Sequence, residues 1–315
     1  MFTRIVAAYD GTERAEEALE AAHILAMHEA ARLVVVRALP QSTAERDVEA
    51  PRALLHERVM QLRALGTVAK ARVERGRPED VIPRVAEQEQ ADLIFLAPRD
   101  RTLPQALRHP SVTGKLLVHA MTPLFIWPEH AEQAAVEQLL TLPVSFVIVP
   151  LDGSPEAECA LEPALAYACQ ARRVLLLVHV LPTLPAPDDG ADEPMRTRLQ
   201  PAHEQDALRY LHGVRERMTH SHGCTIESML LAGDPAEAIA GLAACHEGSL
   251  IVMTARDRGG LARLFLGSVA TRLMHRAAVP LLVVPAAEFI LDDQPVRAQA
   301  QAQEVVWQPS AAPAF

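Results

Sequence analysis

The feature that most constrains the fold of this sequence is an internal repeat. Residues 4–40 align without a gap on residues 146–182, and 13 of the 37 pairs are identical. Residues 94–128 then align on residues 251–285, where 12 of 35 pairs are identical. Self-similarity at this spacing indicates one supersecondary unit that occurs twice. Because 315 residues suffice for two domains with a core each, we predict two copies of one domain in tandem.

The bounds of the domains follow from the repeat and from composition. We predict a first domain at residues 1–129, called copy one, and a second at residues 144–286, called copy two. Residues 287–315 are rich in Ala, Gln and Pro, and we expect a disordered tail there. The offset between the aligned blocks grows from 142 to 157, so copy two carries 15 additional residues. We assign them to the Pro- and Asp-rich stretch 183–201, as a mobile loop.

Each copy alternates apolar runs with helical patterns. The run 174–178 is apolar throughout, which is typical of strands buried on both faces of a parallel sheet. Strand–helix alternation with right-handed crossovers predicts an α/β class with two doubly wound domains. In copy two the predicted order is strand 147–151, a helix through 157–168, strand 175–181, helix 202–218, strand 224–231, helix 236–247, strand 249–254, helix 268–277 and strand 280–284. The first helix of copy one shows helical spacing at Ala15, Ala18, Leu19, Ala22 and Ala26.

Composition excludes several classes of partner. The net charge of −10 lacks the basic excess that releases counterions from nucleic acid, so we expect no nucleic-acid partner. No apolar run approaches the roughly 20 residues that span a bilayer, and no signal peptide is recognisable, so we expect no membrane partner and a cytoplasmic location. The four cysteines lack metal-ligand spacing and are interpreted as small, unpaired, buried residues. Three methionines at apolar helix positions are interpreted as core, namely Met60, Met218 and Met274.

The candidate site lies where parallel strands end. Ligands of open parallel sheets bind beyond the carboxyl ends of the strands, and Asp10 and Asp152 follow the first strand of each copy. Gly267 and Ser268 open the last helix from the same edge, where unpaired N–H groups favour a phosphate. The same residue types also form ordinary turns and helix caps, so both interpretations stay open.

Four segments of copy two together resemble a universal stress protein domain. They are VPLDGS at 149–154, GDP at 233–235, GGLARLFLGSV at 259–269 and VPLLVV at 279–284. The resemblance extends to copy one. It implies a five-stranded parallel sheet of order 3-2-1-4-5 in each copy. It also implies self-association through the last strand, either between the two copies of one chain or between two chains as a homodimer.

The resemblance implies that copy two binds ATP or a related adenine nucleotide, with Mg²⁺. ATP-binding members of the family hold phosphates with Gly-x-x-Gly followed by Gly-Ser or Gly-Thr, but this chain has Thr254 and Asp257 at the two leading positions. An Asp near phosphate repels it, whereas Arg256 and Arg258 can neutralise that charge or meet the phosphate themselves. The nucleotide-binding set carried over by the resemblance is Asp152, Gly153, Val180, Gly233, Arg256, Arg258, Gly267, Ser268 and Val269.

Copy one departs further from the motif. Pro110 stands where copy two has Gly267, and a proline has no N–H to offer at this turn. Ala97 and Asp100 replace the leading glycines. We therefore predict that copy one binds no nucleotide and serves as a structural partner.

Two functions remain open at this point. One is a nucleotide-responsive stress or signalling protein; the other is a nucleotide-independent scaffold that binds protein partners still to be identified. An enzyme is not expected, because the dinucleotide and P-loop glycine motifs are absent and no general base is recognisable. Weak ATP hydrolysis at copy two stays open. We interpret His220 and His222 as part of a polar loop rather than as metal ligands.

Overall fold

The computed structural model describes residues 1–98, 112–119, 121–128, 146–181, 193–219, 224–255 and 268–285. The predicted tail at 287–315 lies outside these residues, as does the segment between the two copies. Both copies alternate strands with helices. The elements of copy one are β1 (Arg4–Ala8), α1 (Glu13–Glu29), β2 (Arg32–Leu39), α2 (Glu49–Ala64), β3 (Ala69–Arg75), α3 (Pro78–Gln88), β4 (Leu93–Leu96), α4 (Val112–His119) and β5 (Leu124–Ile126).

Copy two repeats this order with one helix in two pieces. Its elements are β6 (Phe146–Leu151), α5 (Pro155–Glu158), α6 (Leu161–Gln170), β7 (Val174–Leu181), α7 (Glu193–Thr219), β8 (Ile226–Ala232), α8 (Pro235–Ala244), β9 (Leu250–Ala255), α9 (Ser268–Arg276) and β10 (Leu281–Pro285).

Ten strands of the described residues form one sheet. Its order is β3-β2-β1-β4-β5-β10-β9-β6-β7-β8, which is consistent with the predicted order 3-2-1-4-5 in each half. Neighbouring strands are parallel within each half. At the centre β5 and β10 run antiparallel, with Leu282 opposite Phe125. The predicted α/β class with two doubly wound halves is confirmed.

Two apolar cores lie on the two faces of the sheet. Because successive strand residues point to opposite faces, Ile5 and Ala7 pack in the core under α1, α2, α6 and α7. Val6 packs in the other core, under α3, α4, α8 and α9. Each core extends through both copies. This double burial explains why the strands are continuous apolar runs rather than alternating ones.

The first helix is intact in copy one and broken in copy two. Thr12 caps α1 by accepting a hydrogen bond from the N–H of Ala15 at 3.3 Å, and the helix then continues for 17 residues. In copy two, α5 ends at Glu158 and α6 begins at Leu161. The cause is Pro163, which lacks an N–H and whose ring collides with the carbonyl four residues earlier. Copy one has Ala21 at this position.

The helix before β8 begins earlier than predicted. The sequence predicts a mobile loop over 183–201 and a helix over 202–218, but α7 already begins at Glu193. Residues 193–200 include Met, Arg, Leu and Gln, all of which favour helix. Pro194 falls in the first turn, where its missing N–H costs nothing. The loop prediction is therefore wrong from residue 193 onward, and residues 182–192 lie outside the described residues.

Two predictions about side chains in the core are also corrected. Met60 is 51% exposed, because the buried face of α2 carries Leu55, Val59 and Leu62 instead. Met274 is buried and Met218 is partly buried against the core, as predicted.

The prediction of four unpaired, buried cysteines is wrong. Cys169 at the end of α6 and Cys224 before β8 form a disulfide with a Cα–Cα distance of 5.1 Å. Cys159 and Cys245 are not part of this disulfide, and Cys245 is exposed. The contact could not be predicted, since 55 residues separate the paired cysteines and only the tertiary fold brings the end of α6 next to the residues before β8.

Candidate functional site

The described members of the predicted site lie along the carboxyl edge of the sheet of copy two. The strands β6, β7, β8 and β9 are parallel neighbours there, so their last residues meet at one edge. The first residue of α9 returns the chain to the same edge. The described site residues along it are Asp152 and Gly153 after β6, Val180 near the end of β7, Gly233 after β8, and Ser268 and Val269 at the start of α9.

The turn after β6 is held by the Asp152 carboxylate. Its Oδ1 accepts hydrogen bonds from the backbone N–H of Ser154 at 3.0 Å and from the Ser154 hydroxyl. Gly153 has a φ of 83°, a left-handed conformation that glycine adopts without steric cost. Ser154 caps α5 by accepting from the N–H of Ala157 at 3.2 Å. The Asp152-Gly153-Ser154 motif therefore stabilises the turn and caps α5, and these roles are independent of any ligand.

The same turn recurs in copy one with one difference. Asp10 accepts hydrogen bonds from the N–H of Thr12 at 3.0 Å and from its hydroxyl at 2.7 Å, and Gly11 has a φ of 85°. The guanidinium of Arg37, however, lies 3.4 Å from where a Cβ on Gly11 would stand. Around the corresponding point on Gly153, no atom of the described residues lies within 4 Å. Among the described residues, the turn is therefore covered by a side chain in copy one and left uncovered in copy two.

His179 occupies in copy two the position that Arg37 holds in copy one. Its half-buried ring stands edge-on to Tyr210, with 6.1 Å between the ring centroids. Burial lowers the pKa of His179 below its usual value, against opposing contributions from the backbone of Leu151 and the Asp152 carboxylate. A neutral imidazole therefore stands beside the turn at neutral pH, where copy one has a permanent cation.

The turn after β8 is tied to the last helix. Gly233 has a φ of 124°, and no atom of the described residues lies within 4 Å of a Cβ built on it. Asp234 caps α8 by accepting from the N–H of Glu237 at 3.0 Å. Arg272 on α9 donates to both carboxylate oxygens of Asp234, and this hydrogen bond is the main cause of the lowered pKa of Asp234. The ion pair holds the second turn of α9 against the Gly233 turn.

Thr254 has a structural role that the sequence did not reveal. It stands in β9 where the resemblance has a leading glycine, and its buried hydroxyl donates to the carbonyl oxygen of Glu156 at 2.8 Å. This bond joins β9 to α5. Arg256, Asp257, Arg258 and Gly267 lie outside the described residues, so the phosphate side of the predicted site is described only at Ser268 and Val269.

Ser268 begins α9 and is exposed, and Val269 is half-buried. The first N–H groups of a helix have no partner within the helix and attract anions. In the part of the chain that the structure describes, no group of three His, Cys, Asp or Glu could hold a metal ion. His220 and His222 lie outside that part. Among the same described residues, every helix is too short or too polar to span a membrane.

This fold defines a class of protein, tandem doubly wound α/β domains, in which ligands bind beyond the ends of the parallel strands. A family model narrows the class. The model for the universal stress protein family matches residues 1–128 and 146–285. The chain belongs to the universal stress protein family.

Individual relatives agree with this assignment. A universal stress protein of Methanocaldococcus jannaschii is 30% identical over 141 residues, which are 44% of this chain and 80% of the relative. One of Mycobacterium bovis is 26% identical over 208 residues, covering 64% of this chain and 65% of the relative. The crystal structure of a universal stress protein from Archaeoglobus fulgidus superposes with a TM-score of 0.67 at 19% identity, covering 90% of this chain and 96% of that one. This last match shows that the tandem fold is shared.

Proposed function

We propose that copy two binds an adenine nucleotide, such as ATP with Mg²⁺, and that the chain acts in the cytoplasm as a nucleotide-responsive stress or signalling protein. The observation that carries the proposal is the space that the described residues leave above both glycine turns of copy two. Around Gly153 and Gly233 no described atom lies within 4 Å of where a Cβ would stand. In copy one, Arg37 stands 3.4 Å from that point on Gly11, and Val81 stands 2.8 Å from it on Gly76.

In the proposed complex, successive residues along the carboxyl edge of the sheet contact successive parts of the nucleotide. Asp152, Gly153 and Val180 contact the base and ribose, and the Gly233 turn borders the crevice. Gly267, Ser268 and Val269 present N–H groups and a hydroxyl to the phosphates at the start of α9. Arg256 and Arg258 add positive charge on the phosphate side. Because Asp234 is paired with Arg272, its carboxylate does not stand uncompensated beside the bound anion.

A nucleotide-independent scaffold is the second candidate. The observation in its favour is Thr254, whose hydroxyl is bonded to the Glu156 carbonyl at a position where ATP-binding relatives have glycine. A scaffold would use the same fold without a ligand, since a fold alone does not determine function. Homodimer formation and the identity of further protein partners remain predictions under both functions.

Isothermal calorimetry of the full chain with ATP and Mg²⁺ tests the proposal. We expect saturable binding of about one nucleotide per chain, at copy two alone. Gly267→Pro, which imitates Pro110 of copy one, should abolish it, because it removes a phosphate donor. Ser268→Ala should weaken binding about tenfold through the lost hydroxyl donor. The matched variant Ser111→Ala in copy one should leave the affinity unchanged.

Two calorimetric results would contradict parts of the proposal. If no heat is released and no nucleotide leaves the protein when it is denatured, the ATP proposal is contradicted and the scaffold remains. If Ser111→Ala and Ser268→Ala weaken binding equally, the site is not confined to copy two. Phosphate release measured in the same samples decides whether the bound ATP is slowly hydrolysed.

A further inference from the structure

The disulfide between Cys169 and Cys224 lies at the end of copy two opposite the candidate site. Cys169 stands in the last turn of α6, and Cys224 stands two residues before β8, so the bond joins a helix end to the amino edge of the sheet. Both cysteines are half-buried and pack against the apolar core. They are therefore held in place by packing, yet remain accessible to a small thiol or disulfide.

Copy one shows that the fold does not require a covalent link here. Met27 and Thr67 occupy the positions of Cys169 and Cys224 in the repeat. The end of the Met27 side chain lies 3.3 Å from where a Cβ on Gly66 would stand, and His23 is hydrogen-bonded to the Thr67 hydroxyl. The same helix end is thus attached to the same strand start without a covalent bond. The cysteine pair is an addition specific to copy two.

We propose that Cys169 and Cys224 form a reversible dithiol–disulfide site whose oxidation state sets the stability of copy two. The oxidant is a low-molecular-weight disulfide of the glutathione type. One cysteine thiolate attacks this disulfide, forms a mixed disulfide and releases one small thiolate; the second cysteine thiolate then displaces the other. In total the two cysteine thiols lose two protons and two electrons, one sulfur–sulfur bond forms in the protein, and the small disulfide is reduced to two thiols.

The other two cysteines are less suited to this chemistry. Burial, together with the charge of Glu156, raises the pKa of the Cys159 thiol, so its reactive thiolate is disfavoured. Cys245 is exposed at the end of α8 and is not part of the pair. The geometry therefore assigns reversible oxidation within the chain to one pair out of four cysteines.

The physical effect of oxidation follows from the closed loop. The bond joins residues separated by 55 positions, and the loop contains β7 and α7. A cross-link of this length removes many conformations from the unfolded chain and so stabilises the folded one. We expect the melting temperature of the chain to rise by roughly 10 °C on oxidation. The candidate nucleotide edge lies at the far end of β7, about 25 Å away, so nucleotide affinity should not change.

The test equilibrates the purified full chain in glutathione buffers of increasing oxidised fraction. Free thiols, intact mass and melting temperature are measured at each point. We expect Cys169 and Cys224 to lose their thiols with a loss of two hydrogens in mass and no gain of glutathione at either, and to regain them on reduction; any glutathione gained belongs to the exposed Cys245. The double variant Cys169→Met with Cys224→Thr places the copy one residues in copy two. It should fold and show no redox-dependent shift.

Three results would overturn the inference. These are four thiols under fully oxidising conditions, two thiols that persist under fully reducing conditions, and a melting temperature that is equal in both states. ATP calorimetry on the oxidised and reduced protein is a separate readout, so a failed nucleotide proposal leaves this one intact.

Discussion

The two copies share a fold but differ in what lies above the same turn. In both, an Asp carboxylate after the first strand accepts two hydrogen bonds from the residue two positions on. Those bonds are therefore a property of the fold. What differs is the adjoining side chain, since Arg37 covers Gly11 whereas no atom of the described residues lies within 4 Å of a Cβ built on Gly153. The comparison teaches that the Asp-Gly motif by itself specifies only the turn, and that a residue of the neighbouring strand, Arg37 or His179, determines what lies beside it.

A second difference concerns how the helices on one face are joined. In copy one, Lys115 of α4 pairs with Glu79 in the first turn of α3 at 2.6 Å. In copy two, Arg272 of α9 pairs with Asp234, the cap of α8. Lys115 and Arg272 are equivalent positions, but their acidic partners are not. An ion pair thus joins the last helix to the preceding helix in both copies, but with different acidic residues. In copy two the acidic residue is Asp234, which is adjacent to Gly233 of the candidate site.

The largest expected loss of stability comes from substitutions at the centre of the sheet, where β5 contributes Phe125 and β10 contributes Leu282. Phe125 of β5 stacks on Phe95 with 4.7 Å between ring centroids and lies opposite Leu282 of β10. Both paired residues are about 1% exposed. We expect Phe125→Ala to lower the free energy of unfolding by about 4 kcal/mol and Leu282→Ala by about 3 kcal/mol. Urea denaturation measures both, and a loss below about 1 kcal/mol in either would contradict a packed centre.

The intact and the broken first helix provide the next comparison. Ala21→Pro in α1 removes a helical hydrogen bond and introduces a ring clash, so we expect a loss of about 3 kcal/mol. Pro163→Ala in α6 is the matched change in the opposite direction. Because copy two already accommodates the break, its effect should stay within about 1 kcal/mol. Equal losses for the two variants, again measured in urea, would show that the break has a structural role of its own.

The two left-handed glycines should respond to substitution almost equally. Gly11→Ala and Gly153→Ala each place a Cβ at a positive φ, which costs about 1 kcal/mol. The two losses should be nearly equal, because the new methyl group of copy one meets the Arg37 guanidinium only at van der Waals distance, 3.4 Å, and that of copy two meets no atom of the described residues. Thermal unfolding of both variants measures the difference. A larger loss in copy two would mean that its turn is not open.

The smallest expected effect is that of removing the Asp234 or Glu79 carboxylate on stability at acidic pH. The pKa of Asp234 is lowered chiefly by its hydrogen bond to Arg272; burial tends to raise that of Glu79, but Lys115 outweighs it. A carboxylate with a lowered folded pKa stabilises the fold above its unfolded pKa, and this stability is lost as pH falls through the folded value. Asp234→Asn and Glu79→Gln should therefore lower the melting temperature slightly at pH 7.

The same two variants should also flatten the decline in melting temperature below about pH 4. Melting curves between neutral and acidic pH record this decline for each variant and for the unmodified chain. Profiles that superimpose on that of the unmodified chain would show that the ion pairs contribute nothing to acid stability.

Local patterns made much of this fold predictable. The apolar residues of α1 at helical spacing are all buried, and the continuous apolar runs are strands buried on both faces. The break at Pro163 was visible in the sequence, but the alignment with an unbroken helix in copy one concealed its effect. Met60 was misplaced because an apolar residue one position beyond Val59 lies about 100° around the helix, outside its buried face.

The site was predictable only as far as the edge of the sheet. The rule for parallel strands places Asp152, Gly233 and Ser268 together without any knowledge of side-chain contacts. The bond from Thr254 to Glu156 spans 98 residues, and the position of Arg37 over Gly11 depends on a rotamer; neither has a local signal. The pairing of Arg272 with Asp234 had a partial signal, since Gly-Asp-Pro indicates a cap at Asp234 but not its partner.

The antiparallel pairing of β5 with β10 joins two halves that belong to one polypeptide. In a dimer of identical domains every substitution appears twice, so a proline or arginine that closes one crevice closes both. Here each change appears once per molecule, and the halves stay in equal number at any dilution, because their local concentration is set by the chain rather than by the solution. The residues at the carboxyl edge of one half can therefore change while those of the other half stay the same, with no loss of pairing.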